Sequence, residues 1–444
     1  MNNTIRVPST IQNQIVDETA QNTIYKKVAW RIMPLLLVCQ LLAYLDRINV
    51  GLAKLQMGHD LGFSESAYGL GAGIFFLGYF LFEVPSNIML HRIGARRWIA
   101  RIMISWGLVS AATMLVTGTT SFYIMRFLLG VAEAGFFPGI ILYLTLWFPS
   151  ARRGRMTTLF MTATAASGVV GGPISGWIMT AFGGIHGLAG WQWLFLLEGL
   201  PSALMGLVVL RYLDDGIESA QWLLSSEKKV LREALNRDEQ ARADVTPRSS
   251  VNVIVLSSLV YFLLLAGLYG IGFWLPTIIR ESGVSSPEEI GMLSAVPYIC
   301  AGVVMNFVAF SADRKRAWKS HVALGAFAAA AGLLASTYWA GTLALSLAAL
   351  SLATAGILSA LPLFWNLPTM MLRGVAAASG IAVINSMGNL SGFVSPLIVG
   401  WLTQRSHSAA DGVQFLAACV LVSGLLTLLM RSAPRSQADA GLDY

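Results

Sequence analysis

Charge is scarce in this chain. Only 12% of its 444 residues are Asp, Glu, Lys or Arg, about half the share a soluble domain carries. Cysteine is scarcer still. Cys39, Cys300 and Cys419 all fall in apolar runs, which leaves no disulfide framework and no paired thiolate ligands for a metal. Five scattered histidines, no Ser/His/Asp set and no phosphate-binding glycine loop leave hydrolytic, phosphoryl-transfer and metal chemistry without apparatus. The expectation is a protein that is not an enzyme, with no catalytic residue, metal or organic cofactor. No cleavable signal peptide is expected either, since the chain stays polar as far as Thr23 with no short apolar core and cleavage site. What takes the place of charge is apolar surface: 55% hydrophobic residues and a mean hydropathy of +0.65. That composition predicts an all-α membrane protein.

Apolar runs of about 20 residues suffice to cross a bilayer. They predict twelve transmembrane helices, near 29–50, 68–90, 98–117, 121–147, 158–181, 191–213, 251–280, 288–312, 321–340, 343–365, 376–402 and 411–431. The net charge of +7 could suggest nucleic acid, but the basic residues sit in alternate loops. These carry Arg92, Arg96 and Arg97; Arg152, Arg153 and Arg155; Arg314, Lys315, Arg316 and Lys319; and Arg373. By the positive-inside rule those loops are cytoplasmic, and an even number of spans puts both termini there. The bilayer is the expected partner and nucleic acid is not. The domain plan is a cytoplasmic tail at 1–28, a six-helix bundle at 29–213, a cytoplasmic linker at 214–250, a second six-helix bundle at 251–431 and a tail at 432–444. Within the linker, Ser226-Glu227 opens a capped amphipathic helix. The halves repeat: Ser167-Gly168-x-Val170 with Gly176-Trp177 returns as Ser391-Gly392-x-Val394 with Gly400-Trp401, and Pro138 and Pro362 share the same offset. Two parallel repeats with a site at their interface is an established transporter plan.

The charges that remain inside the spans carry the functional reading. Arg126 and Glu133 lie seven residues apart in one apolar run, about two turns, so they share a helix face. Each costs about 2.5–3.5 kcal/mol at a helix centre on insertion scales. Either they form structural ion pairs with neighbouring helices, or they line a wet central site for anions and protons. Asp46 and Arg47 close the first span. As adjacent residues they point about 100° apart and cannot readily pair with each other. The simple crossed arrangement joins Asp46 to Arg126 and Arg47 to Glu133. It offers two carboxylates for protons and two guanidiniums whose planar forks suit a carboxylate ligand. Glu83 and Glu198 read as structural hydrogen-bond partners. The second-half spans hold essentially no charge but offer Tyr261, Tyr269, Trp274, Tyr298, Asn306, Trp365, Asn385 and Asn389.

Tyr44-Leu-Asp46-Arg47-Ile-Asn49, Arg126 through Glu133 to Pro138, and Trp191-Gln-Trp193-Leu-Phe-Leu-Leu-Glu198-Gly-Leu-Pro201 together resemble the major facilitator superfamily, specifically its anion:cation symporter family. Phe364-Trp365, Leu367-Pro368 and Asn385 extend the likeness across nearly the whole chain. The resemblance implies the major facilitator fold, with substrate carboxylate bound at Arg47 and Arg126 and protons, the coupling ion, carried by Asp46 and Glu133. It places Tyr44, Tyr79, Trp365 and Asn385 at the pocket. It further implies a bacterial inner-membrane symporter, working as a monomer, that imports a small organic carboxylate by alternating access.

Two departures from the family pattern stand out. The loop after span two carries His91 where the superfamily has an acid, and that acid survives only in the second-half copy, Asp313-Arg314. Span ten reads Leu361-Pro362-Leu363-Phe364-Trp365, poor in the hydroxyls of sugar-acid carriers. Unpaired substrate hydroxyls would cost about 1–3 kcal/mol each, so an aromatic carboxylate is the leading expectation, with Phe364 setting the choice. Tartrate-like or sugar acids are the alternative. Export by proton antiport, hinted at by Gly168-x-x-x-Gly172-Pro173, and a nutrient sensor that does not transport remain as further readings.

Overall fold

The computed structural model describes residues 9–243, 251–372 and 375–430. The outermost tails of the domain plan, the linker end at 244–250 and Arg373 of the basic loops lie outside the described residues. Among the described residues the chain is helical with no strand. The first half contains α1 (Ser9–Leu61), α2 (Glu65–Ile93), α3 (Ala95–Ala112), α4 (Thr119–Glu133), α5 (Phe136–Thr145), α6 (Ser150–Ala181) and α7 (Gly190–Tyr212). The linker contributes α8 (Ser225–Ala243). The second half contains α9 (Val251–Glu281), α10 (Pro287–Lys315), α11 (Trp318–Tyr338), α12 (Leu343–Phe364), α13 (Asn366–Met371), α14 (Val375–Ser406) and α15 (Ala409–Leu429). A bilayer offers no partner for open backbone groups, so an apolar chain of this kind satisfies them within helices.

Among the described residues eleven helical spans are long and apolar enough to cross a membrane, with α4–α5 and α12–α13 each counting as one. The twelfth is α6. It is a 32-residue helix whose many Gly, Ser and Thr residues lower its hydropathy, and it is packed between α1 and α10. The helices form two bundles, which meet chiefly through α6 with α10, α2 with α14 and α1 with α9.

The repeated glycines lie at these meetings. A Cβ on Gly168 would strike the Tyr298 ring, and one on its repeat mate Gly392 would strike the Phe76 ring. Gly176 lies against Pro287 and Glu288, and its mate Gly400 against Glu65 and Gly69. Small residues let backbones approach where lipid supplies no hydrophobic drive. The Gly168–Gly176 run of α6 is thus used for packing on α10. These contacts lie in the halves of α6, α10, α2 and α14 nearer the α1–α2, α9–α10 and α14–α15 turns, and they seal that end of the molecule. Further along α6 and α10, Thr158, Met161 and Met305 face a cavity instead.

The linker is tied to the first half. Trp222 stacks on Trp147 at 5.9 Å, Lys27 bonds Glu227, and Glu227 accepts the Leu224 amide at the start of α8. Slight burial works against the Glu227 charge, but the Lys27 ammonium and the Leu224 amide outweigh it and hold the carboxyl below its ordinary value. Upstream of α8, Asp215 lies against Gly94 at the start of α3. It accepts the Arg96 amide at 2.9 Å and lies 3.7 Å from the Arg96 guanidinium, so it caps the N-terminus of α3. His91 is exposed nearby.

Candidate functional site

A cavity of about 120 Å³ lies between the bundles. Its first-half wall carries Gln40, Tyr44, Arg47, Tyr79, Glu133, Phe136 and Phe137, and its second-half wall Tyr261, Leu268, Tyr269, Leu361, Pro362, Asn385 and Asn389. Five of the expected site residues, Tyr44, Arg47, Tyr79, Glu133 and Asn385, therefore share one space. Asp46, Arg126 and Trp365 are not in its wall.

Glu133 is placed by a break that the sequence reading ran through as one span, 121–147. Here α4 ends at Glu133, and Gly135 follows with φ of 84°, a left-handed conformation that favours glycine. A new helix, α5, then starts at Phe136 with Pro138 in its first turn. The break leaves Glu133 at a helix end facing the cavity. Its Oε1 accepts from Arg47 Nη2 in a salt bridge. Its Oε2 and Arg47 Nε have no hydrogen-bond partner among the described residues. The Arg47 guanidinium also lies 5.3 to 5.8 Å from the ring centres of Phe75, Phe76 and Tyr79, within cation–π range. This half of the crossed arrangement is present.

The other half is not. Asp46 is buried among three neutral donors: Trp106 Nε1 at 2.8 Å, Ser110 Oγ at 2.8 Å and Ser202 Oγ at 2.7 Å. Those come from α3 and α7. With its oxygens already served, Asp46 does not need Arg126. Arg126 is fully buried beside α2, its Nε 3.4 Å from the Gly71 carbonyl oxygen and its guanidinium over the Phe75 ring at 5.0 Å. Both its Nη atoms lack partners among the described residues. Gly130, one turn from Arg126, allows this closeness, because a Cβ there would collide with the Phe75 carbonyl.

The second-half wall corrects the reading of span ten. Phe364 is fully buried and stacks on Tyr261 from behind at 5.1 Å, and Trp365 meets the same ring edge-on at 4.8 Å. Both are kept from the cavity by Tyr261, and the span-ten residues that line it are Leu358, Leu361 and Pro362. Tyr269 donates to Asn389 Oδ1 at 3.2 Å, while Asn385 reaches across to Glu83 at 3.3 Å. Glu198 accepts from Asn49 and Ser175, the structural role expected of it. Among the described residues no His, Cys, Asp and Glu side chains gather as a metal site.

Sequence reasoning missed Lys54. It is buried near the sealed end, bonded to Glu65 at 2.6 Å and to Thr277 of the other bundle at 3.2 Å. The available signal was its position seven residues after Arg47, on the same helix face.

Known proteins agree with this architecture. A protein from Agrobacterium vitis, whose name assigns it to tartrate transport, is 47% identical over 96% of this chain and 95% of its own length. NicT from Pseudomonas putida, named as a metabolite transport protein, is 45% identical over 92% and 94%. A quinolone resistance transporter from Acinetobacter baumannii is 40% identical over 92% and 95%. The Escherichia coli xylose transporter XylE, in a partially occluded inward-open conformation, matches the fold with a TM-score of 0.74 at 14% identity, covering 91% of this chain and 99% of that one. The sequence pattern of the Major Facilitator Superfamily matches residues 36–396. On these grounds the chain belongs to the Major Facilitator Superfamily, and it is a multi-pass membrane transporter, not an enzyme.

Proposed function

We propose that the protein is a proton-coupled symporter that imports an organic carboxylate, an aromatic one in the leading case. The observation that carries this reading is the Arg47–Glu133 pair in the wall of an aromatic-lined cavity. A substrate carboxylate competes with Glu133 for the Arg47 fork. Once displaced, Glu133 is a buried anion without a partner, which costs several kcal/mol, and it takes a proton instead. Neutral walls then close around the ligand and the bundles rock. Arg126 is the second anchor, reached when Phe75 and Tyr79 move aside. Asp46 is the second proton carrier, supplied through the Ser110 and Ser202 hydroxyls, which both donate and accept. In this reading the basic loops and both tails are cytoplasmic, the sealed end faces outward and the carrier works as a monomer in a bacterial inner membrane.

The test is uptake into proteoliposomes. A carried acid should acidify the lumen as it enters, and collapse of the proton gradient should stop its accumulation. Accumulation that persists without the gradient would sink proton symport. The A. vitis relative's name favours a second reading, a tartrate-like hydroxy acid, for which the Asn385 and Asn389 amides supply donors and acceptors.

Span ten should decide between the two through Leu361. Leu361→Thr places a hydroxyl on the cavity wall, and one added hydrogen bond is worth about 0.5–1.5 kcal/mol. Competition assays should show relative preference moving toward hydroxylated acids by about two- to tenfold. An unchanged preference in a variant that still transports would remove span ten from the specificity argument.

A further inference from the structure

Lys54 is the one lysine that is buried among the described residues. It follows Arg47 by seven residues on α1, about 10 Å along the axis on the same face. Between them lies Gly51, where a Cβ would sit 3.1 Å from the carbonyl oxygens of Gly272 and Phe273. This face therefore runs along α9 from the cavity to the sealed end. There the Lys54 ammonium spends two of its three donors, on Glu65 of its own bundle and Thr277 of the other. It also stands 4.7 Å from the Tyr68 ring centre and 5.4 Å from that of Trp274.

Opening this end must draw α9 away from α1, and it removes Thr277 and Trp274 from Lys54 together. The ammonium is then left facing the opened cleft, with a donor freed and the Tyr68 face beside it. Glu65 stays on the same bundle, but its side chain is 34% exposed against 8% for Lys54, so solvent can take over that carboxylate. We infer that Lys54 is an entry site for the organic carboxylate, which meets this ammonium first and passes to Arg47 two turns deeper. The inference rests on the symport reading above. Anions and rings suit the site alike, because the ammonium supplies the charge and the flanking aromatic face supplies stacking area.

The competing account makes Lys54 a latch alone. The two accounts differ in sign. If Lys54 only holds the end shut, Lys54→Gln and Glu65→Gln both loosen it, expose the outward-open cavity more often and lower the KM for external substrate. If Lys54 captures the incoming acid, Lys54→Gln raises external KM by about tenfold, the loss of one charge-assisted contact. Glu65→Gln, which keeps the cation and removes its competitor, leaves external KM equal or lower.

The experiment uses the full-length protein in proteoliposomes of known sidedness, with an acid the parent carries. KM is read for zero-trans uptake from each face. Expected are a raised external KM and an unchanged internal KM in Lys54→Gln, opposite or null behaviour in Glu65→Gln, and near-parent values in Lys54→Arg. A second variant guards against poor insertion. Lys54→Cys should share the raised external KM, and aminoethylation at its sulfur, which restores an ammonium, should bring it back down. External KM at or below the parent in Lys54→Gln, or movement of the Gln variants in the same direction, overturns the entry site. A parent that carries no carboxylate at all overturns the symport reading instead.

Discussion

Glu133→Gln should bind and exchange substrate while failing to accumulate it against a gradient. The amide keeps the side chain's shape but cannot take up or release a proton, so it fixes the neutral state that the proposed symport cycle assigns to Glu133 once substrate displaces it. Arg47, bonded to Glu133 Oε1 in the resting protein, is released and remains able to meet a carboxylate. Exchange of internal for external substrate does not require the empty carrier to return, so it survives. Accumulation driven by a pH gradient needs the proton to load on one side and leave on the other, and it should fall to the equilibrium level. Counterflow and gradient-driven uptake in the same vesicles separate the two. Loss of binding itself in Glu133→Gln would mean that the carboxylate positions the site and does not couple it.

The two arginines should part company in a second experiment. Arg47→Gln removes a charged contact worth about 1.5–3 kcal/mol, and affinity in the resting state should weaken by about ten- to a hundredfold. It also strands Glu133, which is buried and has no other partner among the described residues. Breaking a buried pair from one side is costly, about 3–5 kcal/mol, so the variant should unfold at a lower temperature, and adding Glu133→Gln should restore stability without restoring affinity. Arg126→Met should do the reverse. Its guanidinium is wholly buried with both Nη atoms unpaired, and replacing such a group by an apolar one of similar length is often neutral or stabilising. Resting affinity should change by less than about threefold and thermal stability should hold, while turnover drops because the proposed second anchor is gone. Full affinity in Arg47→Gln, with binding lost in Arg126→Met, would reverse the two assignments.

Much of this was legible in the sequence because a bilayer leaves so few ways to satisfy a backbone. Run length and loop charge predict the helices, and the repeated Ser-Gly and Gly-Trp pairs mark faces that meet across the bundles. α6 is less apolar than the other eleven spans, since the small residues it packs with are not strongly apolar, yet its run at 158–181 is still legible. The Arg47–Glu133 pair was legible because charge inside a span must find charge or water. The Asp46–Arg126 pair was misread for a physical reason. Asp46 is served by Trp106, Ser110 and Ser202, neutral side chains on distant helices that no charge-matching argument can see. Phe364 and Trp365 were misplaced because order along span ten does not show that Tyr261 stands between both rings and the cavity. Lys54 was missed because the first span was ended at residue 50, whereas α1 runs to Leu61. Asp215 reaches the α3 terminus from more than a hundred residues downstream, a contact that spacing alone cannot reveal.

The cavity's charged groups, Arg47 and Glu133, both come from the first half of the chain, and the second half contributes only rings, aliphatic groups and amides. That division has an evolutionary consequence. Mutations at Leu361, Asn385 or Asn389 can reshape what fits without touching the Arg47–Glu133 pair, so cargo can drift while the charged half of the site is inherited intact. A lineage built on such a chain can diversify its diet one wall at a time, and its members should differ more in the second-half wall than in the first.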